Sequence, residues 1–175
     1  MGHVNTEKNR RTMKWFFVLL SLFLLVIDGR ITMMLSMFSE QRNTCGVQLL
    51  VLLFIIAYFY FGNIPYVYIL ATVVGILYDL YYYGIIGIHM FIFPVMIWLL
   101  HVLKPYFPRT MVTYLILFLL CSIWVIYANY LVQVIFNIIK PDFLSFMILY
   151  AAPTLLMSTI IYLVALLYGK NFFLK

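Results

Sequence analysis

Two carboxylates lie inside long apolar stretches of the sequence. A charged group in such a segment is unfavourable, so its presence needs an explanation. Asp28 lies within residues 15–38, with Arg30 two positions later, and Asp79 lies within residues 66–83. At the centre of a membrane helix such a group costs about 2.5–3.5 kcal/mol on insertion scales, so it needs a partner, a shallow position or a function. A proton or ion relay usually needs several aligned carboxylates. The two here do not favour one.

The two carboxylates have matching positions along their stretches. Each lies 13 residues after the first apolar residue, which is about 20 Å along a helix. The match predicts a candidate intramembrane charge network of Asp28, Arg30 and Asp79, in which Arg30 reaches Asp79 across helices. Other interpretations remain open: Asp28 and Arg30 cap a short helix near the outer headgroups, and Asp79 lies at a solvated helix end.

The remaining polar residues do not predict a catalytic or metal site. His89 and His101 have no Cys, Asp or Glu at ligand spacing, which favours packing or interfacial positions for both. We find no serine or cysteine nucleophile with an evident base, and no phosphate-binding glycine loop. The basic residues form no run interleaved with aromatics, so nucleic-acid binding is not expected. We therefore expect no enzyme activity, no cofactor and no metal.

The elements that must position these residues are membrane helices. Of 175 residues, 67% are hydrophobic and 9% are charged, whereas a soluble domain is roughly a quarter charged. The apolar stretches are continuous and do not alternate, which predicts helices rather than a barrel. At about 20 residues per crossing, the apolar residues suffice for six helices in one domain, residues 1–175. The predicted spans are 15–38, 46–61, 66–83, 88–103, 111–135 and 143–168.

The lysines and arginines predict the orientation of these spans. With the N-terminus in the cytoplasm, the first span is an uncleaved helix and the sixth returns the C-terminus to the cytoplasm. The cytoplasmic segments then contain Lys8, Arg10, Arg11, Lys14, Lys104, Arg109, Lys170 and Lys175. The outer loops contain only Arg42 and Lys140. This asymmetry predicts a multi-pass protein of the plasma membrane with both ends inside.

A glycine and aspartate motif spans the end of the third helix and the start of the fourth. Gly75 and Asp79 are four residues apart and share a helix face, while Gly84 and Gly87 follow in the turn. Gly75 permits close approach of a neighbouring helix, and Asp79 can accept hydrogen bonds from that helix or from amides of the turn. The motif is thus interpreted as a structural joint, and its four residues are a candidate partner interface.

Residues 71–91, with this motif, resemble the signature of the MreD family, a membrane component of the bacterial machinery that elongates the cell wall. The basic N-terminus, six predicted spans and length agree with the family; Ala71 stands where many members have a further glycine. The resemblance implies a non-enzymatic scaffold in the bacterial cell membrane that binds MreC, a single-span protein. It also implies a place beside RodA, a class B penicillin-binding protein and, where present, MreB.

The resemblance also implies an alternative function. The family's fold is similar to that of the substrate-binding subunits of energy-coupling-factor transporters. A small-molecule-binding membrane subunit would need a polar-lined pocket near the outer face, where Asp28, Arg30 and Asp79 are expected. An ion or proton channel is less favoured, because the sequence has no ring or chain of polar residues within the spans.

Overall fold

The fold is helical wherever the structure describes it. The computed structural model describes residues 2–38, 48–62, 64–82, 84, 87–108, 110–136 and 143–173. Every regular element within these ranges is a helix, which confirms the predicted all-helical class.

The helices follow the apolar stretches closely. In chain order they are α1 (Gly2–Phe38), α2 (Leu49–Phe61), α3 (Ile64–Tyr82), α4 (His89–Leu103), α5 (Met111–Ile135), α6 (Phe143–Phe146) and α7 (Ala152–Phe173). A 3-10 turn, Lys104–Tyr106, follows α4, and a π-helical turn, Met147–Ala151, joins α6 to α7 without a break. The charged N-terminal segment is part of α1, which therefore begins well before the predicted span.

Four helical segments are long and apolar enough to cross a membrane: Thr12–Ile31, Pro65–Tyr82, His89–Tyr106 and Val112–Ile135. Two further apolar helical segments, Leu49–Phe61 and Ala152–Val164, are shorter. At 1.5 Å per residue, the 13 residues of α2 extend about 20 Å, less than the roughly 30 Å hydrocarbon core of a bilayer. A helix this short begins or ends inside the lipid if it lies in the membrane.

The core is built around α2. This helix contacts α1, α3, α4 and α5, and nine of its 13 residues are buried. The α3–α4 pair makes the most extensive helix contact in the described chain. Phe54 on α2 packs against Phe93 on α4, with ring centroids 5.3 Å apart, and Tyr58 is hydrogen-bonded to Nδ1 of His101 at 2.8 Å. The result is a compact α2–α4 unit with α1 and α5 packed beside it.

The π-helical turn has an identifiable cause. Pro153 is the second residue of α7, and proline has no N–H to donate to the preceding turn. The chain accommodates it with one wider turn immediately before, in which the N–H of Ala152 bonds to the carbonyl O of Met147. Pro94, by contrast, lies within α4, which continues as an α-helix through it.

Candidate functional site

Asp79 is the centre of the candidate site, and its carboxylate caps the start of α4. The side chain is fully buried, at 0% exposure. Oδ2 accepts the backbone N–H groups of Gly87 at 3.0 Å and Met90 at 3.2 Å, and the N–H of His89 lies 2.9 Å from both carboxylate oxygens. His89 and Met90 are the first two residues of α4. The N–H groups that a helix leaves unpaired at its start are therefore satisfied by a side chain from the preceding helix.

The glycines of the motif shape the turn around this carboxylate. Gly84 and Gly87 have φ values of +66° and +125°, which side chains with a Cβ rarely adopt. The N–H of Gly84 also donates to the backbone carbonyl O of Asp79 at 2.9 Å. Asp79 thus closes the end of α3 with its backbone and the start of α4 with its side chain.

His89 is a member of this site that sequence reasoning missed. Its Nδ1 lies 2.8 Å from Oδ1 of Asp79, so the imidazole donates a further hydrogen bond when Nδ1 carries the proton. The buried ring packs against Tyr78 and Phe93, with ring centroids 4.3 and 5.2 Å away. His89 does occupy a packing position, as predicted. The sequence did not indicate its hydrogen bond to Asp79, because the turn between α3 and α4 brings together two residues that are ten positions apart.

Gly75 sets the distance between α3 and α4 at this point. A Cβ built at Gly75 would lie 2.5 Å from the carbonyl O of His89 and 2.8 Å from the backbone N of Met90. Real Cβ atoms do not approach backbone this closely, and backbone cannot rotate away as a side chain can. The absence of a side chain at Gly75 is therefore what lets α4 begin beside Asp79, one helical turn away on the same face of α3.

We expect Gly75→Ala to destabilise the protein even though alanine is the better helix former. The added methyl forces α4 away from Asp79, and overpacking of this kind costs about 1–3 kcal/mol, against about 1 kcal/mol gained from helix propensity. Loss of the Asp79 hydrogen bonds adds to that cost. Thermal unfolding in detergent measures it, with Thr72→Ala, one turn earlier on α3, as the control. An alanine variant as stable as the parent would contradict the close approach.

Asp28 performs the same task for α2. It is buried, and its Oδ1 and Oδ2 accept the backbone N–H groups of Leu49 at 3.0 Å and Leu50 at 3.2 Å. These are the first two residues of α2, whose N-cap Gln48 forms no side-chain cap of its own. A carboxylate also interacts favourably with the positive end of the helix dipole. Asp28 does cap a short helix, as one sequence interpretation held, but it caps α2 rather than its own helix.

The structure does not bring the expected charge network together. Asp28 and Asp79 each cap a different helix, and Arg30 is exposed. Within the described residues the ion pair of Asp79 is with His89, and none joins Arg30 to Asp79. The burial of Asp79 also excludes the interpretation that it lies at a solvated helix end. The two carboxylates accept hydrogen bonds from backbone N–H groups, and the spacing of residues in the sequence does not reveal these donors.

A tyrosine links the two capped regions. Tyr82, at the end of α3, donates its hydroxyl to the backbone carbonyl O of Leu25 on α1 at 2.7 Å. Its ring lies over Gly29, where a Cβ would collide with the phenol. The end of α3 is thus tied to α1 immediately beside Asp28, so both capping carboxylates lie in one connected part of the protein.

Both capping carboxylates are engaged in holding the starts of neighbouring helices. Both carboxylates are occupied by hydrogen bonds to N–H groups, and no cluster of three or more His, Cys, Asp or Glu side chains lies among the described residues. Cys121 is buried, and Cys45 lies outside the described residues. The site fixes how helices meet.

These features define a class: a helical membrane protein whose buried polar residues hold its helices together. The model of the family described as rod shape-determining protein MreD matches residues 9–173, nearly the whole chain. The chain belongs to the MreD family, as its motif predicts, and is a cell-shape component that fits a bacterial membrane. Comparison with curated proteins found no similar sequence, and comparison with solved structures found no similar fold.

Proposed function

We propose that this protein is a non-enzymatic membrane scaffold that binds an MreC-like single-span protein and helps to organise the peptidoglycan elongation complex. In that complex it acts with RodA, a class B penicillin-binding protein and, where present, MreB. Membership of the MreD family along residues 9–173 carries the proposal. The capped joints support it, because they use the intramembrane carboxylates to fix helix geometry and leave none to act on a substrate.

The proposal includes six crossings with both termini in the cytoplasm. The four long apolar segments are supplemented by α2 and by the apolar residues 152–164 of α7. The shortness of α2 is compatible with crossing, because Asp28 satisfies N–H groups of α2 where no water is available. Residues 152–164 belong to a helix that runs without a break from Phe143 to Phe173. The distribution of basic residues favours the same orientation. Reporter tags on the two termini test it, and termini on opposite sides of the membrane would refute the even number of crossings.

We propose that partner contacts are made by outward helix faces and not by the motif itself. Gly75 and Asp79 are buried between α3 and α4, so they hold the shape of this pair without touching a neighbouring protein. The outward residues of the pair are large and apolar: Ile69, Val73, Leu77 and Leu80 on α3, and Phe91, Val95, Trp98 and Val102 on α4. These are the side chains that a neighbouring transmembrane helix would contact, and van der Waals packing drives the association of helices in lipid.

Photo-cross-linking in native membranes tests this proposal with controls built into the helices. Val73 is 47% exposed and its neighbour Val74 is 1% exposed; Val95 and Met96 form a similar pair on α4. A cross-linker at Val73 or Val95 should capture a single-span protein, and one at Val74 or Met96 should capture little. Capture of nothing from any outward position of the two helices would contradict the proposal.

The transporter-subunit alternative gains no support from the structure or the family. It required a polar-lined pocket near Asp28, Arg30 and Asp79, yet the two acids are buried caps and the arginine is exposed. Co-purification of a vitamin-like ligand with a transporter ATPase would nevertheless count against the scaffold.

A further inference from the structure

Three buried polar atoms have no hydrogen-bond partner in the described part of the chain. They are Oε1 of Gln48, Oγ of Ser122 and Oγ of Ser158. Ser122 on α5 and Ser158 on α7 are 0% and 1% exposed. A buried hydroxyl or amide without a partner costs about 1–3 kcal/mol, so native proteins rarely leave one unsatisfied. Three in one protein therefore require a partner.

The packing of α5 against α7 brings the two serines to the same level. The helices are antiparallel: Tyr130 packs on Phe146 at one end, with ring centroids 4.4 Å apart, and Phe118 stacks on Tyr162 at 5.6 Å further along. Ser122 lies one turn after Phe118, and Ser158 lies one turn before Tyr162. Residues four apart share a helix face, so both serines continue the face on which the rings stack.

Gln48 reaches the same place from the start of α2. Its Nε2 donates to the backbone carbonyl O of Ser122 at 3.5 Å, so the amide group that carries the unpaired Oε1 lies beside α5. Gln48 is also the N-cap residue of α2, immediately before the two residues that Asp28 caps. Its hydrogen bond to Ser122 therefore links the start of α2 to α5.

We propose that Gln48, Ser122 and Ser158 line a buried site between α2, α5 and α7 that binds water. An uncharged site with two hydroxyls and an amide oxygen suits a molecule that both donates and accepts, and buried waters typically make about three such hydrogen bonds. Ser122 lies near the middle of the apolar segment Val112–Ile135, so this water is held deep inside the protein, where bulk solvent is absent.

Water-edited solid-state NMR of the full chain in lipid bilayers tests the site directly. Ser21 is the matched control, because it is equally buried at 0% but its hydroxyl already donates to the carbonyl O of Val18 at 2.7 Å. Magnetisation from water should reach the side chains of Ser122 and Ser158 at short mixing times and reach Ser21 only slowly. The proposal would be overturned if magnetisation reaches all three serines at the slow rate of Ser21. It would also be overturned if Ser122 and Ser158 are found to hydrogen-bond directly to each other.

Alanine variants provide a second test, in which Tm changes in opposite directions depending on whether water is bound. If water is bound, Ser122→Ala and Ser158→Ala each lower Tm by about 2–4 °C, because the water loses a partner. If no water is bound, each variant raises Tm, because an unsatisfied hydroxyl is removed. Ser21→Ala corrects for the helix propensity gained with alanine. The double variant should lose less than the sum of the two single losses, and strict additivity would refute a shared water.

Discussion

Replacement of Asp79 with leucine should be the most damaging single substitution in the membrane part of this protein. It removes the acceptor for the backbone N–H groups of Gly87, His89 and Met90 and for the side chain of His89. Each buried donor left without an acceptor costs about 1–3 kcal/mol, and no water replaces the carboxylate in lipid. We expect a loss of about 4 kcal/mol or more, measured as the free energy of unfolding in detergent titrated with dodecyl sulfate.

Two further variants divide this loss between its causes. Asp79→Asn keeps one oxygen but turns an NH₂ group toward donors, so it should cost about half as much as the leucine variant. His89→Phe keeps a ring packed against Tyr78 and Phe93 and removes the side-chain hydrogen bond to Asp79, for about 1–2 kcal/mol. Equal losses for the asparagine and leucine variants at position 79 would show that charge, and not hydrogen bonding, holds the joint.

The positions of the helices could be predicted from the sequence because apolar length is a direct signal in membrane proteins. The predicted fifth span and α5 cover the same residues, 111–135, and the predicted fourth span differs from α4 by one residue at its start. The motif could also be interpreted as a joint, because Gly75 and Asp79 share a face four residues apart. Both inferences rest on local periodicity, which a single sequence contains.

The partners of the two carboxylates could not be predicted in the same way. Backbone N–H groups are present at every residue, so the sequence does not mark Leu49 and Leu50 as donors to Asp28. Sequence reasoning considered charged side chains first and therefore paired Arg30 with Asp79. The useful signal was the short second and fourth apolar stretches, because a helix that starts inside lipid needs an acceptor for its first N–H groups.

The matching positions of Asp28 and Asp79 along their apolar stretches have a counterpart in the structure. Each acid lies toward the end of a long helix, α1 or α3, and caps the first two residues of the shorter helix that follows, α2 or α4. The two hairpins α1–α2 and α3–α4 therefore use one device twice. Tyr82 connects them by donating its hydroxyl to the backbone carbonyl O of Leu25, three residues before Asp28.

Replacement of Asp28 should accordingly resemble that of Asp79 but with a smaller effect. Asp28→Leu leaves the N–H groups of Leu49 and Leu50 unsatisfied, two donors where Asp79 serves four, and we expect a loss of about 2–3 kcal/mol. Asp28→Asn retains one acceptor oxygen, so its loss should be near 1 kcal/mol. The same unfolding titration ranks these variants against those at Asp79.

Arg30→Gln is the control that separates capping from a charge network. Arg30 lies two residues from Asp28 on the same helix but is exposed, so neutralising it should change stability by no more than about 0.5 kcal/mol. A loss at Arg30 as large as that at Asp28 would mean that the acid and the base act together. A loss confined to Asp28 would mean that the carboxylate stabilises α2 through its backbone, because the charge of its neighbour would then contribute nothing.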